Sequence, residues 1–180
     1  MIDPTELERR IREAFASVEF PGDWCLTRSK EGEEPLLLAQ EFKGKNDWRS
    51  LDAAFLDQAP DGYASALSFF SDEAFRFYLP AYLLADLQGA LRSTDVVFHL
   101  CFGLDDESRD RPVNPRRYGD RTWFTEATHR LSVFSREQAA AIVLYLLYKL
   151  QTSEIVDFDR PKIEGALRSF WLQRAGEAGD

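Results

Sequence analysis

Residues 66–87 read ALSFFSDEAFRFYLPAYLLADL and contain the most informative pattern of the sequence. Ser71 is a typical helix N-cap, and the two acidic residues after it lie where the helix dipole favours negative charge. The apolar side chains that follow would cover nearly the whole circumference of a helix, which is typical of a buried helix. The segment therefore predicts a central helix, which Pro80 should kink or split because proline lacks a backbone donor.

Helical patterns also occur on both sides of this segment. Ser135 and Gln138 form a capping box that opens a strong apolar helix to about Gln151, the second candidate for the centre. The stretch Val96 to Phe102 leaves helix and strand both open, and we favour helix. Further helices are expected after Asp3, from about Asp47 to Gln58, and after Asp159. The predicted interior is dominated by Phe75, Phe77, Leu84, Ile142, Leu146 and Phe170.

One segment has a β pattern instead. Two short β-prone runs, Trp24 to Thr27 and Leu36 to Phe42, flank the polar stretch 29–35, which is typical of a hairpin. A lone hairpin is only marginally stable, so it should lean on the helices. The predicted fold class is α+β and mostly helical: a single domain, residues 1–180, of about five to seven helices with a small antiparallel β-hairpin.

Composition and charge limit the class of protein. The hydrophobic share of 44% and aromatic share of 13% exclude a disordered chain, and 180 residues fit one domain. The net charge of −9 disfavours nucleic-acid binding and is compatible with a basic protein partner. The N-terminus shows no secretory signal, and the most apolar window, Ala139 to Leu150, is shorter than the roughly 20 residues that span a bilayer. We therefore expect a soluble, cytoplasmic protein that does not bind membranes.

Familiar signatures of catalysis and metal binding are missing from the sequence. It contains no glycine-rich phosphate loop and no HExxH, CxxC or GxSxG motif. Two histidines and the distant cysteines Cys25 and Cys101 are too few for most zinc sites. The acidic pair Asp157 and Asp159 reads as a cap for the last helix rather than as a cation site. We therefore predict no catalytic residues, no metal and no cofactor.

The longest segment without apolar periodicity is a polar loop at residues 104–121. Loops of this length are usually functional or disordered, and binding residues concentrate in such loops. This one carries an acidic block and an arginine pair before an aromatic cluster, and Arg, Tyr and Trp are the residue types enriched at interface hot spots. The candidate binding residues are Asp105, Asp106, Glu107, Arg116, Arg117, Tyr118 and Trp123.

These features favour a non-enzymatic binding protein, such as an immunity or antitoxin-type partner of a basic toxin. The alternative is an enzyme or small-molecule binder with an aromatic pocket around Tyr78, Pro80 and Tyr82, whose phenol hydroxyls would be polar handles. For these tyrosines themselves, core packing around the kink is the favoured interpretation, because buried aromatic residues mostly belong to the core. A convergent pocket that contains a perturbed titratable group would favour the alternative. A flat, exposed acidic face would favour the binding protein.

Three short motifs carry a resemblance to a known family: FKGKNDW at 42–48, YLPAYLL at 78–84 and SREQ at 135–138. Together they are similar to a family of small uncharacterised bacterial proteins, a domain of unknown function, over residues 7–150. Members of that family tend to carry His and Cys between the hairpin strands, whereas this chain offers only Cys25 and a run of glutamates there. The resemblance therefore implies a family but no site and no activity.

Overall fold

Helices are the regular secondary structure in the part of the chain that the structure describes. The computed structural model describes residues 1–58, 66–152 and 159–176, and within these ranges no strand or sheet is present. Two isolated antiparallel β-bridges occur, between Thr27 and Phe70 and between Pro112 and Thr122. The predicted α+β class is therefore wrong, and the described chain is all-helical. Its helices are also shorter and more numerous than the predicted five to seven.

The predicted hairpin is a pair of helices. Asp23–Cys25 forms a 3-10 helix, and helix α2 covers Glu33–Glu41. The run that read as the second strand contains Leu, Ala, Gln and Glu, which are strong helix formers, and no β-branched residue. Glu33 and Glu34 add negative charge to the first turn, where the helix dipole favours it. Helical spacing then buries Pro35 and Leu38 on one face.

Contacts within the chain group into two compact units, Met1–Arg10 with Leu100–Asp180, and Ile11–His99. The expectation of a single domain stays a prediction. Helix α1, Pro4–Ala14, begins with a hydrogen bond from the Glu6 N–H to the Asp3 carboxylate, so the helix expected after Asp3 is confirmed. Helix α5, Val96–Cys101, settles the open choice at that segment in favour of helix.

The unit Ile11–His99 is centred on helix α4, Asp72–Leu87, which runs across Pro80 without a break in its helical structure. The Ser71 hydroxyl accepts the Ala74 N–H at 3.0 Å, as its N-cap pattern predicts. Eleven residues of α4 are buried, so the predicted central helix is confirmed. The 3-10 helix Trp48–Ser50 and helix α3, Ala53–Leu56, pack against α4. They replace the predicted helix from Asp47 to Gln58, because Leu51 and Asp52 are extended and interrupt it.

The other unit is built around helix α9, Arg136–Gln151, which opens with the predicted capping box of Ser135 and Gln138. The segment predicted as a loop at 104–121 contains two one-turn helices, α6 (Glu107–Asp110) and α7 (Pro115–Tyr118), followed by α8 (Trp123–Leu131).

The predicted interior residues come from both units. Of the six, five are buried and Phe170 is half-buried.

The last helix packs against α9 and changes its winding part-way along. It runs as α10 (Arg160–Ala166), a π-helical segment (Leu167–Trp171) and α11 (Leu172–Ala175). Within the π segment, the Ser169 hydroxyl donates to the Leu104 carbonyl at 2.7 Å, and the Trp171 indole N–H donates to the Leu100 carbonyl at 2.8 Å. The Leu100 carbonyl lies in the last turn of α5, where the helix leaves such groups unpaired, so the Trp171 indole satisfies it.

Two arginines join the start of α9 to the end of α11. Arg136 donates to the carbonyls of Ala175 and Gly176 at 3.0 and 3.1 Å. In the opposite direction, Arg174 donates to the carbonyls of Ser132 and Phe134 at 2.7 and 2.9 Å. Each guanidinium therefore satisfies two carbonyls at the turn or terminus that it faces.

Candidate functional site

The predicted binding residues lie on one stretch of structure in the unit that contains α6, α7 and α8. Residues 113–121, which we call the α7 turn, project from a closed base. The Val113 N–H donates to the Arg121 carbonyl at 3.0 Å, and the Trp123 N–H donates to the Arg111 carbonyl at 3.0 Å. Helix α7 begins at Asn114-Pro115, where proline suits the first helical position. Part of the polar segment that was predicted to be a loop therefore forms a defined turn with α7 at its tip.

Helix α8 gives this turn a fixed support. Thr122 and Thr125 form a capping box at its start, and α6 packs against it. Gly103, with φ +82°, lies so close to α8 that a Cβ atom there would come within 2.9 Å of the Trp123 carbonyl oxygen. The backbone before α6 therefore approaches α8 at a distance that only glycine permits.

Arginine and aromatic side chains lie together on the surface of this stretch. Tyr118 is 42% exposed, and the guanidinium groups of Arg117 and Arg121 lie 5.5 and 5.8 Å from its ring centroid. Arg109 lies 4.0 Å from the ring centroid of Phe124. We call the whole set the arginine–aromatic surface: Phe102, Arg109, Arg116, Arg117, Tyr118, Arg121, Trp123 and Phe124.

The aromatic members of the surface form an exposed apolar edge. Phe102 is 46% exposed and meets Trp123 edge-to-face, with ring centroids 5.1 Å apart. Trp123 itself is half-buried. Arg121 also pairs with Glu126 at 3.1 Å, which limits the positions that its side chain can take. Such a combination of exposed aromatic rings and guanidinium groups is typical of a protein-binding surface.

The predicted acidic block has a different role from the arginines. Asp105 accepts the backbone N–H and the hydroxyl of Ser108, at 2.8 and 2.9 Å, and so holds the start of α6. Asp106 lies 3.5 Å from both Arg109 and Arg168, in exposed ion pairs that contribute little. Glu107 is exposed in the first turn of α6. Asp105 therefore has a structural role, and binding by the other candidate residues stays a prediction.

Comparison with known proteins places the chain in a family. A family model described as a family of unknown function, DUF6714, matches residues 3–175. The chain belongs to this family. The family resemblance drawn from the three motifs is thereby confirmed, and the match reaches beyond residue 150 to α11. No curated protein and no solved structure matches the chain.

The residues of the alternative pocket lie in the core of this DUF6714 protein. Tyr78 and Tyr82 are fully buried. The Tyr78 hydroxyl donates to the Lys45 carbonyl at 2.7 Å, and its ring stacks on Phe70 with centroids 5.0 Å apart. Burial raises the pKa of both phenols above the ordinary value. Tyr78 packs among aromatic rings, as core residues do, whereas the buried Tyr82 hydroxyl has no hydrogen-bond partner among the described residues. Neither tyrosine lines either of two shallow grooves in the same unit.

Two shallow grooves occur in the unit Ile11–His99. One, of about 420 Å³, is lined by residues 17–21 with Glu73 and Arg76. The other, of about 220 Å³, lies between the 3-10 helix at Trp48 and α4, with Arg12 and Arg49 among its lining residues. The Arg49 side chain already has partners in this groove, because it donates to the Ala16 carbonyl and stacks on the Trp48 ring. Neither groove matches the site predicted from sequence.

The described ranges contain neither a cluster of metal ligands nor a membrane-spanning helix. Among the residues that the structure describes, no three His, Cys, Asp or Glu side chains come together in a group that could hold a metal ion. Asp157, one of the two carboxylates considered as a cation pair, lies outside those residues, while Asp159 pairs with Lys162 at 3.2 Å. None of the described helices is long and apolar enough to cross a membrane.

Proposed function

We propose that this DUF6714 protein is a non-enzymatic, cytoplasmic binding protein that recognises another protein through the arginine–aromatic surface. The observation that carries the proposal is Tyr118: a large aromatic ring, 42% exposed, with two guanidinium groups over it, on a turn whose base is closed by backbone hydrogen bonds. Aromatic and arginine side chains supply most of the binding energy of protein interfaces, and a preformed turn loses little entropy on binding.

The partner that we propose is a basic protein, as in immunity or antitoxin pairs. Residues 11–99 contain 15 acidic and 8 basic residues, against 16 and 14 in the rest of the chain. Most of the net charge of −9 therefore belongs to that unit. A field of this sign accelerates the encounter with a positively charged protein and disfavours acidic competitors.

Two carboxylates with lowered pKa values owe the shift to contacts that stabilise the fold. The pKa of Glu6 is lowered to about 2 by hydrogen bonds from Arg9 and Arg10 on an exposed face of α1. Burial raises the pKa of Asp57, but hydrogen bonds from the backbone N–H groups of residues 92–94 outweigh it and leave the pKa below its ordinary value. In each case the cause is a structural contact.

Capture and reconstitution test this proposal. The tagged full chain is used to capture proteins from the lysate of its own organism, and each candidate is then purified and mixed with it. We expect a stable complex with a basic protein. Tyr118→Ala should weaken it about tenfold or more, the effect of losing an interface hot spot. Trp24→Ala is the matched control, because Trp24 is an 81% exposed aromatic residue outside this surface.

The two variants also define the contrary result. A reconstituted complex that tolerates Tyr118→Ala but loses affinity with Trp24→Ala would place the interface elsewhere. A purified acidic partner would retain the binding function and contradict the basic partner.

A further inference from the structure

The α7 turn is basic in a protein that is acidic as a whole. Residues 109–121 contain five arginines and two aspartates, whereas the whole chain has 31 acidic and 22 basic residues. All five arginines are exposed. Three of them lie within the turn itself: Arg116, Arg117 and Arg121. A uniformly basic partner would be repelled here, so the part of the partner that meets this stretch needs acidic groups.

The guanidinium groups are arranged for contact with anions. Arg117 and Arg121 both lie over the Tyr118 ring, and Arg109 lies over Phe124. Stacking restricts an arginine side chain, and two of these stacked groups already meet carboxylates, Arg109 at Asp106 and Arg121 at Glu126. A planar fork of this kind matches a carboxylate bidentately, so less entropy is lost per hydrogen bond than with an unrestrained arginine.

We infer that the α7 turn binds an acidic segment of the partner protein, with aspartate or glutamate carboxylates on Arg116 and Arg117 and an apolar neighbour on Tyr118. This inference rests on the proposed function, since it names what the partner presents at that surface. In a partner that is basic overall, one acidic segment seated on one basic turn fixes the orientation of the complex and excludes partners that lack it.

The size of the turn favours a short acidic peptide over a nucleic acid. Helix α7 has four residues and is about 6 Å long, which is room for two or three carboxylates. Nucleic-acid binding relies instead on neutralising a long run of phosphates, and the net charge of −9 opposes that.

Fluorescence anisotropy on the full chain tests this without the partner. The probes are labelled 12-residue peptides of alternating Glu and Leu, Gln and Leu, and Lys and Leu, together with a 12-nucleotide single-stranded DNA. Titrations at about 0.15 M salt screen the overall charge beyond about 8 Å and leave local contacts. The variants are R116E/R117E and the control R12E/K30E, which makes the same change in net charge with exposed residues outside the arginine–aromatic surface.

We expect the glutamate peptide to bind more tightly than the other probes. R116E/R117E should weaken it about tenfold or more, and the control about threefold or less. R116K/R117K keeps the two positive charges but removes the planar guanidinium groups, so its loss of affinity for the glutamate peptide should be intermediate. Thermal melting of each variant checks that it is folded.

Three results would overturn the inference: equal binding of the glutamine peptide, equal loss in R12E/K30E, or tighter binding of the DNA with the same arginine dependence. The proposed function is tested separately by Tyr118→Ala and the purified partner. A protein that captures its partner but ignores the glutamate peptide refutes the acidic segment alone. One that binds the peptide but forms no protein complex refutes the proposed function.

Discussion

Replacing Gly103 with alanine should destabilise the protein far more than its size suggests. Two costs add at this position. The backbone has φ +82°, which L side chains rarely adopt, and the new methyl group would lie 2.9 Å from both the Trp123 carbonyl oxygen and the Ala127 Cβ. The first cost is roughly 1–2 kcal/mol and the second, like other overpacking, roughly 1–3 kcal/mol, so we expect about 2–5 kcal/mol in total.

Gly89→Ala separates these two costs. Gly89 also has a positive φ, +65°, but nothing lies within 4 Å of the position of its Cβ, so this variant should lose only about 1–2 kcal/mol. Urea unfolding measures both free energies, with an unchanged slope as the sign that the denatured states are alike. If Gly103→Ala is no more destabilising than Gly89→Ala, the close approach to α8 described above does not exist.

Three further substitutions test other parts of the structure. Leu146→Ala in the buried face of α9 should lower the free energy of unfolding by roughly 2–5 kcal/mol, and an unchanged urea midpoint would remove α9 from the core. Asp57→Asn should lower stability at neutral pH, and the difference from wild type in urea midpoint should shrink as the pH falls. A carboxylate with a lowered pKa stabilises the fold above its unfolded pKa of about 4 and loses this effect as the pH drops through the folded value. Arg174→Ala leaves the carbonyls of Ser132 and Phe134 without their donor, so a loss of about 1–3 kcal/mol is expected in the same assay, and no loss would show that the bonds contribute nothing.

Local chemistry in the sequence was enough to place the main helices. Ser71 and Ser135 begin α4 and α9 as predicted, because a capping side chain acts on the backbone only two or three residues away. The hairpin prediction failed because a short run of apolar residues fits a strand and a helix equally well, and propensity decided for the helix at Leu36 to Glu41. Pro80 did not split α4, since the packing of a helix buried on nearly all sides outweighs one missing hydrogen bond.

The candidate site was predicted only in part. The arginine and aromatic residues around Tyr118 are contiguous in sequence, so the cluster could be recognised from the sequence alone. Arg109 and Phe102 were missed as members, because their aromatic partners, Phe124 and Trp123, lie 15 and 21 positions along the chain and only the packing of α8 brings them together. The role of Asp105 was likewise hidden, since an acidic residue before a polar run reads equally as a cap or as solvated loop.

The π-helical segment Leu167–Trp171 lets the last helix hold one residue more than a regular α-helix would. A π bulge is equivalent to one residue inserted into an α-helix, and the bulge absorbs it locally. Deleting a single exposed residue there, such as Arg168, would restore the α-helical period and leave everything after it in nearly its present rotation relative to α10. Arg174 would then keep its bonds to the carbonyls before α9. A one-residue gap at 167–171 in an alignment of family members therefore marks the loss of the bulge and implies no change in the orientation of the C-terminus.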